Sequence, residues 1–316
     1  MKYCFRTLLC AALLTGFGYG QSAAILYTTD VNGHRVAEAE FLSNNGDRAE
    51  LNRSINGRTV PLERSEAKVL TDEPNHKITE TIVRKYDANG ELASTERTVA
   101  EEFKSAAGSS IKATVYRSDA NGRLQEGERR VIETHVQGAT TSSDVTIARV
   151  GLSGSFETAE KRKVITMVEG TNTRQTETVE RPAQGDLNFT EVSREVKESQ
   201  VAGDKTVSNT ARYELNYTGK MALIRQENAI TTKKSDGTQV TELNRYAPAI
   251  YGIARDEHSG PALQEQQVIV RKEGKGTVEE TTSVRRPTLA DPNRLGEPKV
   301  ISDLVCTGKC AGPLQP

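Results

Sequence analysis

The chain has no tryptophan, aromatic residues make up only 5% of its 316 residues, and just 35% of it is hydrophobic. A large two-sided core needs more apolar volume than that, so a thickly cored globular domain is not expected. Net charge is also missing, with 42 Lys and Arg against 43 Asp and Glu. Disordered chains this poor in apolar residues usually carry a strong charge of one sign, whereas this pattern is balanced and regular. Without a basic excess or stacking platforms, nucleic acid is not an expected partner.

Long apolar runs are absent after the first twenty residues. Within those twenty, Lys2 and Arg6 precede an apolar run from Leu8 to Phe17, and Gly18 and Gly20 occupy the −3 and −1 positions before Gln21. This is the pattern of a secretory signal peptide. Lipidation at Cys10 would leave almost no apolar region before it. Export is therefore expected, to the periplasm or to the cell exterior, with no membrane-spanning segment left after removal of the leader, because a spanning helix needs about 20 apolar residues. Only Cys306 and Cys310 then remain of the four cysteines, and in an oxidising compartment they are expected to close a small disulfide loop.

What the chain does have is self-similarity. Tyr86-Asp87-Ala88-Asn89-Gly90-Glu91-Leu92 returns 32 residues later, with substitutions, as Ser118-Asp119-Ala120-Asn121-Gly122-Arg123-Leu124. Asn-Gly between alternating runs is a strong hairpin signal, because both residues readily take the positive φ that a tight turn requires. At the same offset Gly154 follows Gly90 and Gly122, Arg149 follows Lys85 and Arg117, and Glu160 follows Glu96 and Glu128. The tandem partners Arg97, Arg129 and Lys161 keep the spacing as well. Ile111, Ala113, Val115 and Arg117 fall on one face of an extended segment and Lys112, Thr114 and Tyr116 on the other, a period of two that predicts β-strands.

These observations predict an all-β chain: an elongated antiparallel sheet or superhelix of about seven hairpin repeats of roughly 30 to 35 residues. Residues 1–20 form the leader, 21–71 degenerate capping repeats, 72–304 the array, and 305–316 a tail holding the cysteine loop. Asn89, Gly90, Asn121, Gly122 and Gly154 serve as structural turns. The Glu and basic columns are read as solvating the outer face and forming cross-strand ion pairs, each contributing about 0.2 to 1 kcal/mol.

Catalytic and metal-binding patterns are not found. His34, His76, His135 and His258 lie far apart in sequence, and no two share metal-ligand spacing. Gly151-Leu152-Ser153-Gly154-Ser155 misses the nucleophile-elbow spacing by one residue, and Asp87, Asn89 and Gly90 lack the distal acidic ligand of a calcium loop. No cofactor is expected.

At Tyr86-Asp87-Ala88-Asn89-Gly90-Glu91-Leu92 and at Asp119-Ala120-Asn121-Gly122-Arg123-Leu124 the chain resembles the YD or RHS repeats of bacterial surface and toxin-shell proteins. The first turn has Glu91 where that motif has a basic residue, and the second has Ser118 in place of its Tyr. The resemblance implies a β-hairpin array at the cell surface or in the envelope, with no catalytic residues to transfer.

The expected function is a non-enzymatic structural or interaction protein of the bacterial envelope, presenting an extended β surface to a protein or polymer partner. The alternative is a secreted enzyme or ligand-binding protein with a site in the irregular region 212–286, where Tyr246, Tyr251 and Arg255 are the most site-like residues. An outer-membrane barrel would accommodate the alternating strands, but an apolar outward band and aromatic girdles are wanting in the sequence.

Overall fold

The computed structural model describes residues 22–29, 34–44, 47–55, 58–183, 188–248, 261–288 and 294–308. The first half of the chain forms β1 (Ser22–Thr29), β2 (Arg35–Asn44), β3 (Arg48–Ile55), β4 (Arg58–Glu73), β5 (His76–Tyr86), β6 (Leu92–Ser105), β7 (Gly108–Ser118), β8 (Leu124–Gln137) and β9 (Thr140–Val150). The second half forms β10 (Phe156–Glu169), β11 (Asn172–Pro182), β12 (Phe189–Ala202), β13 (Lys205–Leu215), β14 (Met221–Lys233), β15 (Gln239–Ala247), β16 (Ala262–Glu273), β17 (Thr277–Arg285) and β18 (Lys299–Gly308). Every strand pairs antiparallel with its sequence neighbours, and β1 also pairs with β18 from Ser22↔Gly308 to Tyr27↔Asp303. The sheet is a closed barrel of 18 strands.

Closure corrects the expectation of an open, elongated array. An open array would leave two long edges of unpaired N–H and C=O groups, which a closed ring removes. The bend comes from a device that strict alternation does not reveal. β-Bulges recur near one rim, between Lys85 and Tyr86, Val115 and Tyr116, Val179 and Glu180, Arg212 and Tyr213, and Arg245 and Tyr246. Each adds a residue on one strand and increases the local bend and twist, so one recurring feature turns a ribbon into a ring.

The two rims differ. Most turns at one rim are short, two residues at Ala106-Ala107, Gly138-Ala139 and Gly170-Thr171, although residues 234–238 make a five-residue connection between β14 and β15 there. This rim also holds the outer ends of β1 and β18, since Ser22 is opposite Gly308. At the other rim most connections are longer. Asp87 N–H donates to the Glu91 carbonyl and Gly90 N–H to that of Asp87, and the same pair of bonds closes the turns opened by Asp119, Gly151 and Asn216. The Asp87 carboxylate accepts from the backbone of Asn89 and Glu91, and Asp119 does the same for Asn121 and Arg123.

Two glycines carry different constraints. Gly122 has φ +77, and a Cβ added there would have nothing within 4 Å, so Gly122→Ala meets only the backbone cost of about 1 kcal/mol. Gly108 has φ +153, and a Cβ there would lie 1.8 Å from the Thr134 carbonyl oxygen on β8. Gly108→Ala must push β7 and β8 apart. Equilibrium unfolding should show at least twice the loss for Gly108→Ala that it shows for Gly122→Ala, and equal losses would contradict this packing.

Inward and outward faces separate by burial. Ala49, Ser65, Val83, Ala100, Val115, Glu128, Ile147 and Glu160 are all buried. They share one face through the registers Ala49↔Ser65, Ser65↔Val83, Thr98↔Val115, Val115↔Glu128 and Arg130↔Ile147. Inward side chains converge on a barrel's concave wall while outward ones splay apart, so this face lines the lumen. At the usual spacing and a tilt of about 40°, 18 strands close on a circumference of roughly 110 Å, or about 36 Å across, too wide for side chains to fill.

Candidate functional site

The inward wall carries the charged columns. On β6 to β9, Glu96 lies opposite Arg117 and Glu128 opposite Arg149 in the strand register. Arg117 Nε donates to Glu96 Oε2 at 3.0 Å, and its Nη2 stands 3.8 Å from Glu128 Oε2. Arg149 Nε donates to Glu128 Oε2 at 2.9 Å, while Arg130 holds the other oxygen. One repeat on, Glu160 is gripped by Arg162 on one oxygen and by Arg181 on the other, at 2.9 and 3.0 Å. Across the barrel the pattern returns: Arg245 joins Glu227 at 2.9 Å to Glu265 at 3.1 Å, and Arg286 donates to Glu265 at 2.9 Å.

This geometry corrects the assignment of the Glu columns to the outer face. A carboxylate is short, so on a concave wall it sinks beneath its neighbours, whereas arginine is long enough to cross over it. The side chains of Glu128 and Glu160 are 2% and 3% exposed, while Arg149 and Arg181 are 54% and 59% exposed. A solute in the lumen therefore meets guanidinium groups lying over buried carboxylates. The sequence displayed these columns but not their sidedness.

The tandem basic residues point the other way, as the two-residue period requires. Outward, Arg97 lies over the Tyr116 ring at 5.3 Å, Arg129 over Phe156 at 4.1 Å and Lys161 over Phe189 at 4.2 Å, all near the long-turn rim. Arg64 over Tyr86 extends the row. Each such contact contributes about 0.5 to 1 kcal/mol at an exposed site. Beyond them the outward positions read Val99 then Glu101, Val131 then Glu133, and Val196 then Glu198. Outward ion pairs also occur, Lys163 with Asp144 at mid-strand at 3.7 Å and Arg174 with Glu198 nearer the short-turn rim at 3.5 Å.

Of the residues singled out in the irregular region, Tyr246 lies on β15 opposite Gln226 and Leu263. Tyr251 and Arg255 lie outside the described residues. A cavity of about 380 Å³ lies elsewhere, on β10 to β13, where Met167, Arg174, Glu198, Gln200 and Asn209 are among its lining residues. Cys306 is buried and disulfide-bonded, while Cys310 lies outside the described residues, as does the expected leader, residues 1–20. Among the described residues no cluster of His, Cys, Asp and Glu is arranged to hold a metal ion.

No protein-family model matches the chain, and no curated protein matches it in sequence. Solved structures do match. A mutant of the Rh. blastica porin superposes with a TM-score of 0.56 at 7% identity, covering 92% of this chain and 99% of that one. A second mutant of the same porin gives a TM-score of 0.54 at 8% identity, with coverages of 92% and 98%.

The fold is porin-like.

The porin-like barrel overturns two expectations together. An extended surface offered to a protein or polymer has no counterpart in a wall curled round a lumen. The expectation that nothing spans a membrane rested on the lack of an apolar helical run, and a barrel crosses with strands whose apolar residues need only alternate. Delivery to the envelope agrees with such a fold.

Proposed function

We propose that the chain is a non-enzymatic channel of the bacterial outer membrane, admitting polar solutes through its lumen. The observation that carries this reading is the closed ring of 18 strands around a wide wall of hydrogen-bonding and charged side chains. A barrel of that strand number leaves an aqueous passage. The rims supply an orientation, because outer-membrane barrels keep short turns on the periplasmic side. The rim where most turns are short, with the ends of β1 and β18, would then face the periplasm. The rim with longer connections, where Tyr86, Tyr116, Phe156 and Phe189 point outward, would face out, with these rings at the membrane interface.

The outer wall makes this reading demanding. Its apolar positions alternate with charges, as at Val131 and Glu133, and an Arg or Lys at the bilayer midplane costs about 2 to 4 kcal/mol. Lys163, at mid-strand, must therefore keep its acidic partner Asp144 in the membrane. Partition is the deciding measurement. Expressed with its leader, the chain should stay with the outer membrane through carbonate extraction, and the detergent-purified barrel should open steps of conductance in a planar bilayer. Release as a soluble folded protein, or a folded barrel that never conducts, would overturn the proposal.

A further inference from the structure

The geometry points to a lumen that prefers anions, with small phosphate- or carboxylate-bearing solutes as the class it binds. For its transport arm this inference rests on the channel reading above. The ring is built unevenly: each carboxylate described at its centre is held by two guanidinium groups. Glu128 is held by Arg130 and Arg149, Glu160 by Arg162 and Arg181, and Glu265 by Arg245 and Arg286. Arg162 also stands 3.5 Å from Glu177 and Arg245 also bonds Glu227, so the surplus of positive charge is clearest at Glu128, where, among the described residues, Arg117, Arg130 and Arg149 meet only Glu96 and Glu128.

Depth adds to the imbalance. Glu128 and Glu160 lie beneath the wall, and Glu265 is 14% exposed, whereas Arg117, Arg149, Arg181 and Arg286 are 49%, 54%, 59% and 50% exposed. A guanidinium has five donors in a fixed fork, and one or two of them bonded to a buried carboxylate leaves others aimed at the lumen. That fork matches the paired oxygens of a phosphate or carboxylate. The buried acid also holds each arginine in one place, so less side-chain freedom is lost when an anion arrives. Lys85 continues the ring on β5, opposite Glu63.

Glu96, at 26% exposure, is the nearest inward acid that reaches the lumen beside Arg117. It tempers the preference without reversing it, since Arg117 stands between it and Glu128. In 0.15 M salt the fields of these charges fall off over about 8 Å, so the preference acts on solutes passing along the wall and weakens as salt rises.

Two measurements on the detergent-folded full chain test this. Inorganic pyrophosphate should bind saturably by calorimetry, more weakly in 0.5 M than in 0.1 M salt. The triple variant Arg117→Gln, Arg149→Gln, Arg181→Gln should weaken it at least tenfold, while the corresponding Lys triple should lose less and Arg97→Gln, on the outer wall, should bind as the wild type does. Glu128 and Glu160 keep Arg130 and Arg162 in these variants, and circular dichroism checks that the barrel has formed. In a planar bilayer under a KCl gradient, the reversal potential should report chloride passing severalfold more readily than potassium, moving towards equal passage in the Gln triple. Binding without conductance would sink the channel reading and leave the anion site standing. Conductance that favours potassium, or pyrophosphate binding that is absent or unchanged by the Gln triple, would overturn the anion preference.

Discussion

Removing Arg130 and Arg149 together should destabilise the barrel by about 3 to 5 kcal/mol, more than removing the acid they share. The reason is the difference in depth along one ion-pair network. Glu128 is 2% exposed, and without its two closest partners a buried carboxylate has neither water nor a hydrogen-bonding cation, since Arg117 at 3.8 Å is beyond hydrogen-bond distance. Uncompensated burial of a charge costs that much. The converse change, Glu128→Ala, strands Arg130 and Arg149, which are 38% and 54% exposed and can turn to the water of the lumen. It should cost about 1 to 3 kcal/mol, the range for losing hydrogen bonds to charged groups. Denaturant unfolding of the Arg130→Ala, Arg149→Ala pair beside Glu128→Ala gives the comparison. If the acid proved the costlier loss, the carboxylate would not be the buried member of the network.

The seam should be less forgiving still. Leu304 sits on β18 between Leu26 of β1 and Glu280 of β17, where the last strand closes the ring on the first. Truncation before Lys299 would remove β18 and expose β1 and β17 as two unpaired edges in a chain whose thin core offers little else to hold it. The expected outcome is loss of the folded barrel, seen as aggregation in detergent and loss of the cooperative unfolding transition. Leu304→Pro should act in the same direction at smaller scale, removing one ladder donor and its local geometry at a cost of about 3 kcal/mol. A truncated chain that stayed monomeric, folded and cooperative would mean that closure contributes little to stability.

Strand positions were readable from residues alone, and the reason is local. Alternation from Ile111 to Arg117 and the Asp-x-Asn-Gly turns at Asp87 and Asp119 depend on backbone geometry within a few residues, and those turns have the bonding their composition calls for. The opposite sidedness of Glu128 and Arg129 also followed from the two-residue period. Which of the two faced inward did not, because the chain lacks the contrast between an apolar and a polar face that normally marks the inside. Glu128 and Glu133 are the same residue type, one buried under arginines and the other exposed.

By itself, then, the sequence determined an antiparallel β chain with tight turns and charges ordered in columns, because each of those is set by contacts along a strand or across one pair. Only tertiary structure decided that the sheet meets itself. Closure depends on bend and stagger accumulated over 18 strands, supplied in part by the bulges beside Tyr86, Tyr116, Tyr213 and Tyr246, until Ser22 comes to lie against Gly308. A small bend per hairpin is invisible in any single repeat. Summed around the ring, it turns a row of ion pairs into the lining of a passage.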